Sequence, residues 1–344
     1  TKKHKGWSSQ PFKVANLVMP RNQTKIEFIY EPIQEELAKV EENLRTLAGV
    51  GEAHLTGFLS HILPSQGKRV RPAVTILASR FHPNSGGAPV IMATAVELLH
   101  IASLVHDDTV DGSNLRRGIA TVSSLWGRNV AVLLGDYVFA TSATWVCDTE
   151  DVRVIRRFSE TIMELSSGEL METVAAYSIE QNYEQYIERI YNKTASLFRT
   201  AGETGAVLSG IGEMEVKALT DYGYNIGMAF QIVDDILDFQ GTEEEIGKPV
   251  GQDLLQGTLT LPAILLLKRY PNDNPVLELF QGEDREMNSK RAVEMVQNST
   301  ILTESYAVAD QFRDKAIDAI KVLQSSRERE SLQELATYVT DRRW

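Results

Sequence analysis

PVIMATAVELLHIASLVHDDTVD, residues 89–111, is the stretch whose reading decides the fold. It is apolar on nearly every face and then sets Asp107, Asp108 and Asp111 at its end. A run of this length without strict alternation reads as helix and not strand. A helix apolar all round belongs at the centre of a bundle. Its carboxylates stand at the C-terminal end, where the helix dipole disfavours negative charge. Charge placed there calls for a cation.

The same period extends outward in both directions. EFIYEPIQEELAKVEENLRTLAG (27–49), RPAVTILASRFH (71–82), NVAVLLGDYVFATSATWVC (129–147), VRVIRRFSETIMELSSGELMETVAAY (152–177), NYEQYIERIYNKTASLFRTAGETGAVLSG (182–210) and EMEVKALTDYGYNIGMAFQIVDDILDF (213–239) are all helical candidates. Alternating strands with hairpin turns are not expected. The fold class is therefore all-α, a helical bundle. No linker composition or fixed-period repeat divides it, so 26–344 is read as one domain behind a flexible leader, 1–25. The most apolar run, 131–147, carries Asp136 inside it and reads as a buried helix, not a membrane span.

Composition narrows the function. The chain has 344 residues, 43% hydrophobic and 24% charged, enough for a sizeable core. A net charge of -12 argues against nucleic acid as a partner, since a phosphate backbone needs a basic footprint. The single cysteine, Cys147, forms no intrachain disulfide, which suits a reducing cytoplasm.

The aspartate motif recurs as DDILD at 234–238. Positions i and i+4 lie about 40° apart on a helix, so Asp107 faces with Asp111, and Asp234 with Asp238. Asp235 completes the second cluster. One such motif is ordinarily a solvated helix end. Two of them, each closing an apolar helix, make sense when divalent cations sit between, and oxygen-only ligation points to Mg²⁺ in preference to zinc. Basic groups supply the counterpart. GKRVRP (67–72) sets Lys68, Arg69 and Arg71 on a turn, RRG adds Arg116 and Arg117, and YNKTASLF brings Lys193 and Thr194, with Gln231 just ahead of Asp234. Together they describe two anion sites, one bridged by metal and one held by arginine and lysine.

These residues resemble the trans-prenyl diphosphate synthases of the polyprenyl synthetase family, with a match from about Gly67 to Pro262. The resemblance implies the isoprenoid synthase fold, a single-domain helical bundle with a central cleft, and makes the two clusters the family's aspartate-rich signatures, holding three Mg²⁺ ions when substrate is bound. It assigns Lys68, Arg71, His100 and Arg117 to isopentenyl diphosphate, and Arg116, Lys193, Thr194, Gln231 and Lys248 to an allylic diphosphate. It also implies a homodimer and a peripheral membrane contact for product release. The chain departs from many relatives at Thr258, where LQGTLTLP replaces a further lysine.

The implied reaction is Mg-dependent head-to-tail condensation of isopentenyl diphosphate onto the allylic primer. Asp107, Asp108, Asp111, Lys193, Asp234 and Asp235 carry the chemistry, the aspartates as metal ligands and not as general acids or bases. Product length is expected to depend on the turns before Asp107, where Ala102 and Ser103, then Leu98 and Leu99, form the wall of the growing tail. Small residues at the first turn favour a medium or long product of the quinone side-chain type. The alternatives are a shorter, geranylgeranyl-type synthase, a non-catalytic subunit of a heteromeric synthase, and a class I terpene cyclase. Two intact aspartate motifs tell against the last two.

Overall fold

The computed structural model describes residues 21–49, 53–64, 67–82, 86–240 and 250–341. Helices α1 (Arg21–Ile29), α2 (Gln34–Ala48), α3 (Ala53–Ile62) and α4 (Val70–Ala78) lead into α5 (Ala88–Val110). Then come α6 (Val122–Trp126), α7 (Arg128–Cys147), α8 (Val152–Ala175), α9 (Tyr183–Ile190), α10 (Ser196–Ser209) and α11 (Glu213–Gln240). Beyond them, Leu261–Arg269, Arg285–Gln297, Ile301–Ala319 and Arg327–Thr340 pack on α11. α1 starts at Arg21, inside the stretch expected as a leader, and residues 1–20 lie outside the described residues.

α5 is the axis. Its buried residues come from every side, among them Met92, Ala93, Val96, Leu98, Leu99, Ile101 and Ala102. α4, α7 and α10 pack around it. α10 also lies against α11, so it joins the two aspartate-bearing helices. The main core gathers α2, α4, α5, α7 and α10. A second core, with Ile232, Ile236, Tyr306 and Phe312, supports the far end of α11.

Two features depart from the sequence reading. Leu115–Arg116 and Ile119–Ala120 pair as short antiparallel strands. Their turn is Arg117 (φ 51) with Gly118 (φ 77), both in the left-handed region that a two-residue hairpin needs. Two-residue strands are too short to show alternation, and an Arg-Gly turn lacks the usual asparagine or aspartate. Second, Ala88–Val110 and Arg128–Cys147 are each long and apolar enough to cross a membrane by length and composition. The first is mostly buried in the core. On α7 only one side is covered, by Ala131, Leu134, Gly135, Val138, Ser142 and Val146. Val132, Leu133 and Tyr137 on its other side are exposed, together with Leu125 and Trp126 of α6.

Candidate active site

A cleft of about 660 Å³ opens between α4, α5, α8, α11 and the segment 256–260. Asp107 and Asp111 reach it from α5, and Asp234 and Asp235 from α11. Lys68 and Arg71 enter from the start of α4, Arg116 and Arg117 from the hairpin, and Lys193 and Thr194 from a turn between α9 and α10. His100 and Gln231 are also among its polar lining. Asp107, Asp111, Asp234 and Asp235, far apart in sequence, thus share one cavity with Lys68, Arg71, Arg116, Arg117 and Lys193.

On α5, Asp107 and Asp111 lie one turn apart and both face the cleft. Asp108 does not. It is buried, and both of its oxygens accept from Nε of Arg116, at 2.9 and 2.8 Å. One residue along a helix is a rotation of about 100°, which turns the middle aspartate towards the hairpin. Burial, and then the neighbouring Glu169, raise the Asp107 carboxyl to about 7, and Asp111 is raised chiefly by burial.

On α11, Asp235 accepts from the Tyr186 hydroxyl at 2.7 Å and from Nε2 of Gln231 at 2.8 Å. Thr194 in turn donates to Oε1 of Gln231 at 2.6 Å. Burial and then Asp253 raise Asp235 to about 7. Asp238 is not part of the cleft lining. Its oxygens accept the backbone N–H groups of Gln252 and Asp253, at 3.2 and 3.1 Å, so it ties the returning loop to α11. Burial and Asp253 nevertheless push it up to about 8. These carboxyls are raised first by burial and then by like charge from their neighbours. Oxygen donors of this kind suit a hard divalent cation, while among the described residues no three of them are grouped to hold one on their own.

The cations occupy distinct settings. Lys193 Nζ stands 2.6 Å from Glu172 and 2.9 Å from Glu169. Burial opposes its charge, but these glutamates raise its pKa and keep it protonated. Arg71 lies over the ring of Phe198, 4.5 Å from its centroid. Lys68 Nζ is 5.1 Å from the Tyr338 centroid, and its carbonyl accepts from Tyr30 at 2.8 Å. Arg69, read from sequence as a third converging donor, is instead taken up by Glu41 and Glu97, at 2.5 and 2.6 Å. Its backbone is left-handed (φ 49), and it stays in the cleft lining with its guanidinium paired and 9% of its side chain exposed. Burial, with Arg71 and Arg117 nearby, holds His100 well below its ordinary value and therefore neutral. Thr258 lines the cleft at the position of the missing lysine. Lys248 lies outside the described residues.

Glu172, Asp253 and Arg189 also line the cleft and were not anticipated. Glu169 and Glu172 sit at i and i+3 on α8, a spacing that was legible. Asp253 stands two residues after Gly251 in GKPVGQDL, where only Lys248 was weighed. On the proposed tail wall, Ser103 lines the cleft with Leu104 and Ile101. Ala102, Leu98 and Leu99 do not, being fully buried in the main core. Helix phase explains this, since Ala102 and Leu98 fall about 140° and 180° round from Asp107, and Leu99 falls about 80° round on the side opposite Ile101 and Leu104.

A model of the polyprenyl synthetase family matches residues 52–298. The chain is 35% identical to heptaprenyl diphosphate synthase component 2 of Bacillus subtilis, over 94% of this chain and 92% of that protein. It is 33% identical to a chloroplastic solanesyl-diphosphate synthase 2 of Oryza sativa, over 90% of this chain and 78% of the relative. Among solved structures it resembles a polyprenyl synthase from Caulobacter crescentus complexed with calcium and isoprenyl diphosphate. The TM-score is 0.88 at 31% identity, covering 93% of this chain and 98% of the other.

Proposed function

The chain belongs to the polyprenyl synthetase family, and we propose that it is a Mg-dependent trans-polyprenyltransferase that adds isopentenyl diphosphate head-to-tail to an allylic diphosphate, giving a medium to long all-trans polyprenyl diphosphate for quinone side chains. The observation that carries this is the convergence of Asp107, Asp111 and Asp234, from two separate helices, on one cleft that also receives Lys68, Arg71, Arg117 and Lys193. Relatives named heptaprenyl and solanesyl diphosphate synthases support the longer product over a geranylgeranyl-type one.

We assign Asp107, Asp111 and Asp234 as the groups that hold Mg²⁺, three ions with substrate bound, while Asp108 and Asp238 orient Arg116 and the 250–255 loop. When bound, the metal neutralises the allylic diphosphate and makes it a leaving group. Lys193, Thr194 and Arg116 orient that diphosphate at the cluster. Lys68, Arg71, Arg117 and neutral His100 hold the second diphosphate, so that the isopentenyl double bond faces the allylic carbon. As the C–O bond breaks, the double bond attacks, and the proton lost afterwards goes to an oxygen of the departing diphosphate. Ile101, Leu104, Ile190 and Phe230 supply the apolar part of the lining that keeps water from the cation.

The exposed apolar side of α6 and α7 supports a homodimer, because a patch of that kind on a water-soluble surface marks an interaction face. A cytoplasmic setting, with transient contact to a lipid surface as the apolar product leaves, accords with the product's chemistry. The test of the whole reading is to incubate purified protein with Mg²⁺, labelled isopentenyl diphosphate and an allylic primer, and to size the products after dephosphorylation. Chains of seven or more isoprene units are expected. Label remaining in isopentenyl diphosphate, with every primer and at any metal concentration, would overturn it.

A further inference from the structure

The turn that presents Lys193 and Thr194 is not α-helical. Tyr191–Ala195 forms a single π-helical turn between α9 and α10. Such a turn inserts extra length into a helix and persists where its surroundings hold it. Here the holding contacts lie behind the cleft. The Tyr191 hydroxyl donates to Oε1 of Glu164 on α8 at 2.9 Å and accepts from Nη1 of Arg199 at 2.8 Å. The other oxygen of Glu164 accepts from Nη2 of Arg157, whose Nε donates to Thr200 on α10 at 2.9 Å. Arg157 is buried, with 6% of its side chain exposed.

The turn is also confined from two sides at backbone distance. A Cβ on Gly168 of α8 would fall 2.6 Å from the Lys193 nitrogen, and one on Gly227 of α11 would fall 2.6 Å from Cα of Ala195. Neither Tyr191, Glu164 nor Arg157 lines the cleft. A buried arginine–glutamate pair is weak support for stability, because desolvation offsets its attraction. Its position points to a geometric task. Were the π turn to relax into α-helix, the loss of one residue's worth of winding would rotate α10 by about 100° against α9. Lys193 and Thr194 could not then both keep their places beside Glu172 and Gln231.

We propose that Glu164, Tyr191 and Arg157 are positioning residues that hold the π turn in register and thereby aim Lys193 and Thr194 at the allylic diphosphate. This rests on the allylic assignment of Lys193 and Thr194 made above. Because the network acts through those two residues alone, it serves one substrate and not the other.

The test compares wild type, Tyr191→Phe, Glu164→Gln, Lys193→Ala and the Tyr191→Phe/Lys193→Ala pair in steady-state assays that vary each diphosphate separately. Tyr191→Phe should raise the apparent KM for the allylic diphosphate and lower kcat, each about tenfold, with the KM for isopentenyl diphosphate within about twofold of wild type. Glu164→Gln keeps an acceptor for Tyr191 and should lose less. Added to Lys193→Ala, Tyr191→Phe should cost less than about twofold more, since the two act on one contact. Full additivity in the pair would overturn the proposal. So would an equal rise in both KM values, or a Tyr191→Phe enzyme with wild-type constants beside an impaired Lys193→Ala. An unimpaired Lys193→Ala enzyme would instead remove the allylic assignment itself, and this inference with it.

Discussion

Arg116 donates through Nε to both oxygens of Asp108, at 2.9 and 2.8 Å, so the middle aspartate of the first cluster faces an arginine while its neighbours face the cleft. Loss of each aspartate should therefore read differently. Asp107→Ala or Asp234→Ala should lower kcat by roughly a thousandfold or more with the fold intact, as removal of a metal ligand does. Asp108→Asn should act through Arg116, chiefly raising the KM for the allylic diphosphate. Rate assays with Mg²⁺ present check this, and equal loss of kcat in all three variants would contradict it.

The homoallylic side should respond in binding. Lys68 reaches the cleft from the start of α4 and Arg117 from the hairpin. A charge-assisted contact to a bound diphosphate acts in the ground state as well as the transition state. Lys68→Ala and Arg117→Ala should each raise the KM for isopentenyl diphosphate roughly tenfold or more, with kcat little altered. Initial rates at varied isopentenyl diphosphate decide it, and an unchanged KM in both would mean these cations serve another purpose.

How much of this was legible depends on range. The helices and both aspartate clusters are local patterns, written in apolar spacing and in DDTVD and DDILD. What α5 does with each member of its cluster depends on the hairpin, because Asp108 finds Arg116 only once Arg117 and Gly118 take the left-handed turn. Arg69 likewise looked like a ligand beside Lys68 and Arg71, and its partners Glu41 and Glu97 come from α2 and α5. The π turn has no signal in YNKTA itself. It depends on Glu164 and Gly168 of α8 and Gly227 of α11, which pattern reading treats as unrelated.

The raised carboxyls make a statement about pH and stability. Asp107 and Asp235 at about 7 and Asp238 at about 8, against 3.8 unperturbed, mean that the folded protein binds more protons than the unfolded chain between about pH 4 and pH 8. Stability from these groups falls as pH rises through that window when metal is chelated. His100 works in the opposite sense below its ordinary value of 6.5, since its proton is lost on folding. Calorimetry in EDTA should thus find Asp235→Asn more stable than wild type at pH 8, with the advantage gone near pH 4. Mg²⁺ should raise the wild-type midpoint more at pH 8 than at pH 6, because protons compete with it. An equal increment at both pH values would remove the linkage.

Product length should be set beside Ser103, the residue one turn before Asp107 that faces the cleft. A helical turn rises about 5.4 Å, close to one extended isoprene unit, so a bulky side chain there meets the tail of a short intermediate. Ser103→Phe leaves the aspartates and cations in place, and the first condensations should run at near-normal rate. The products should then collapse to roughly three or four isoprene units, with one turn of clearance below the metal site. Ala102→Phe is the companion measurement. Ala102 is fully buried, so a ring there must displace core neighbours at a cost of about 1–3 kcal/mol. Shortened products from a folded Ala102→Phe enzyme would carry the channel past the open cleft into the packed side of α5. Unchanged length from an active Ser103→Phe enzyme would show that the tail leaves the cleft along another wall, away from α5 altogether.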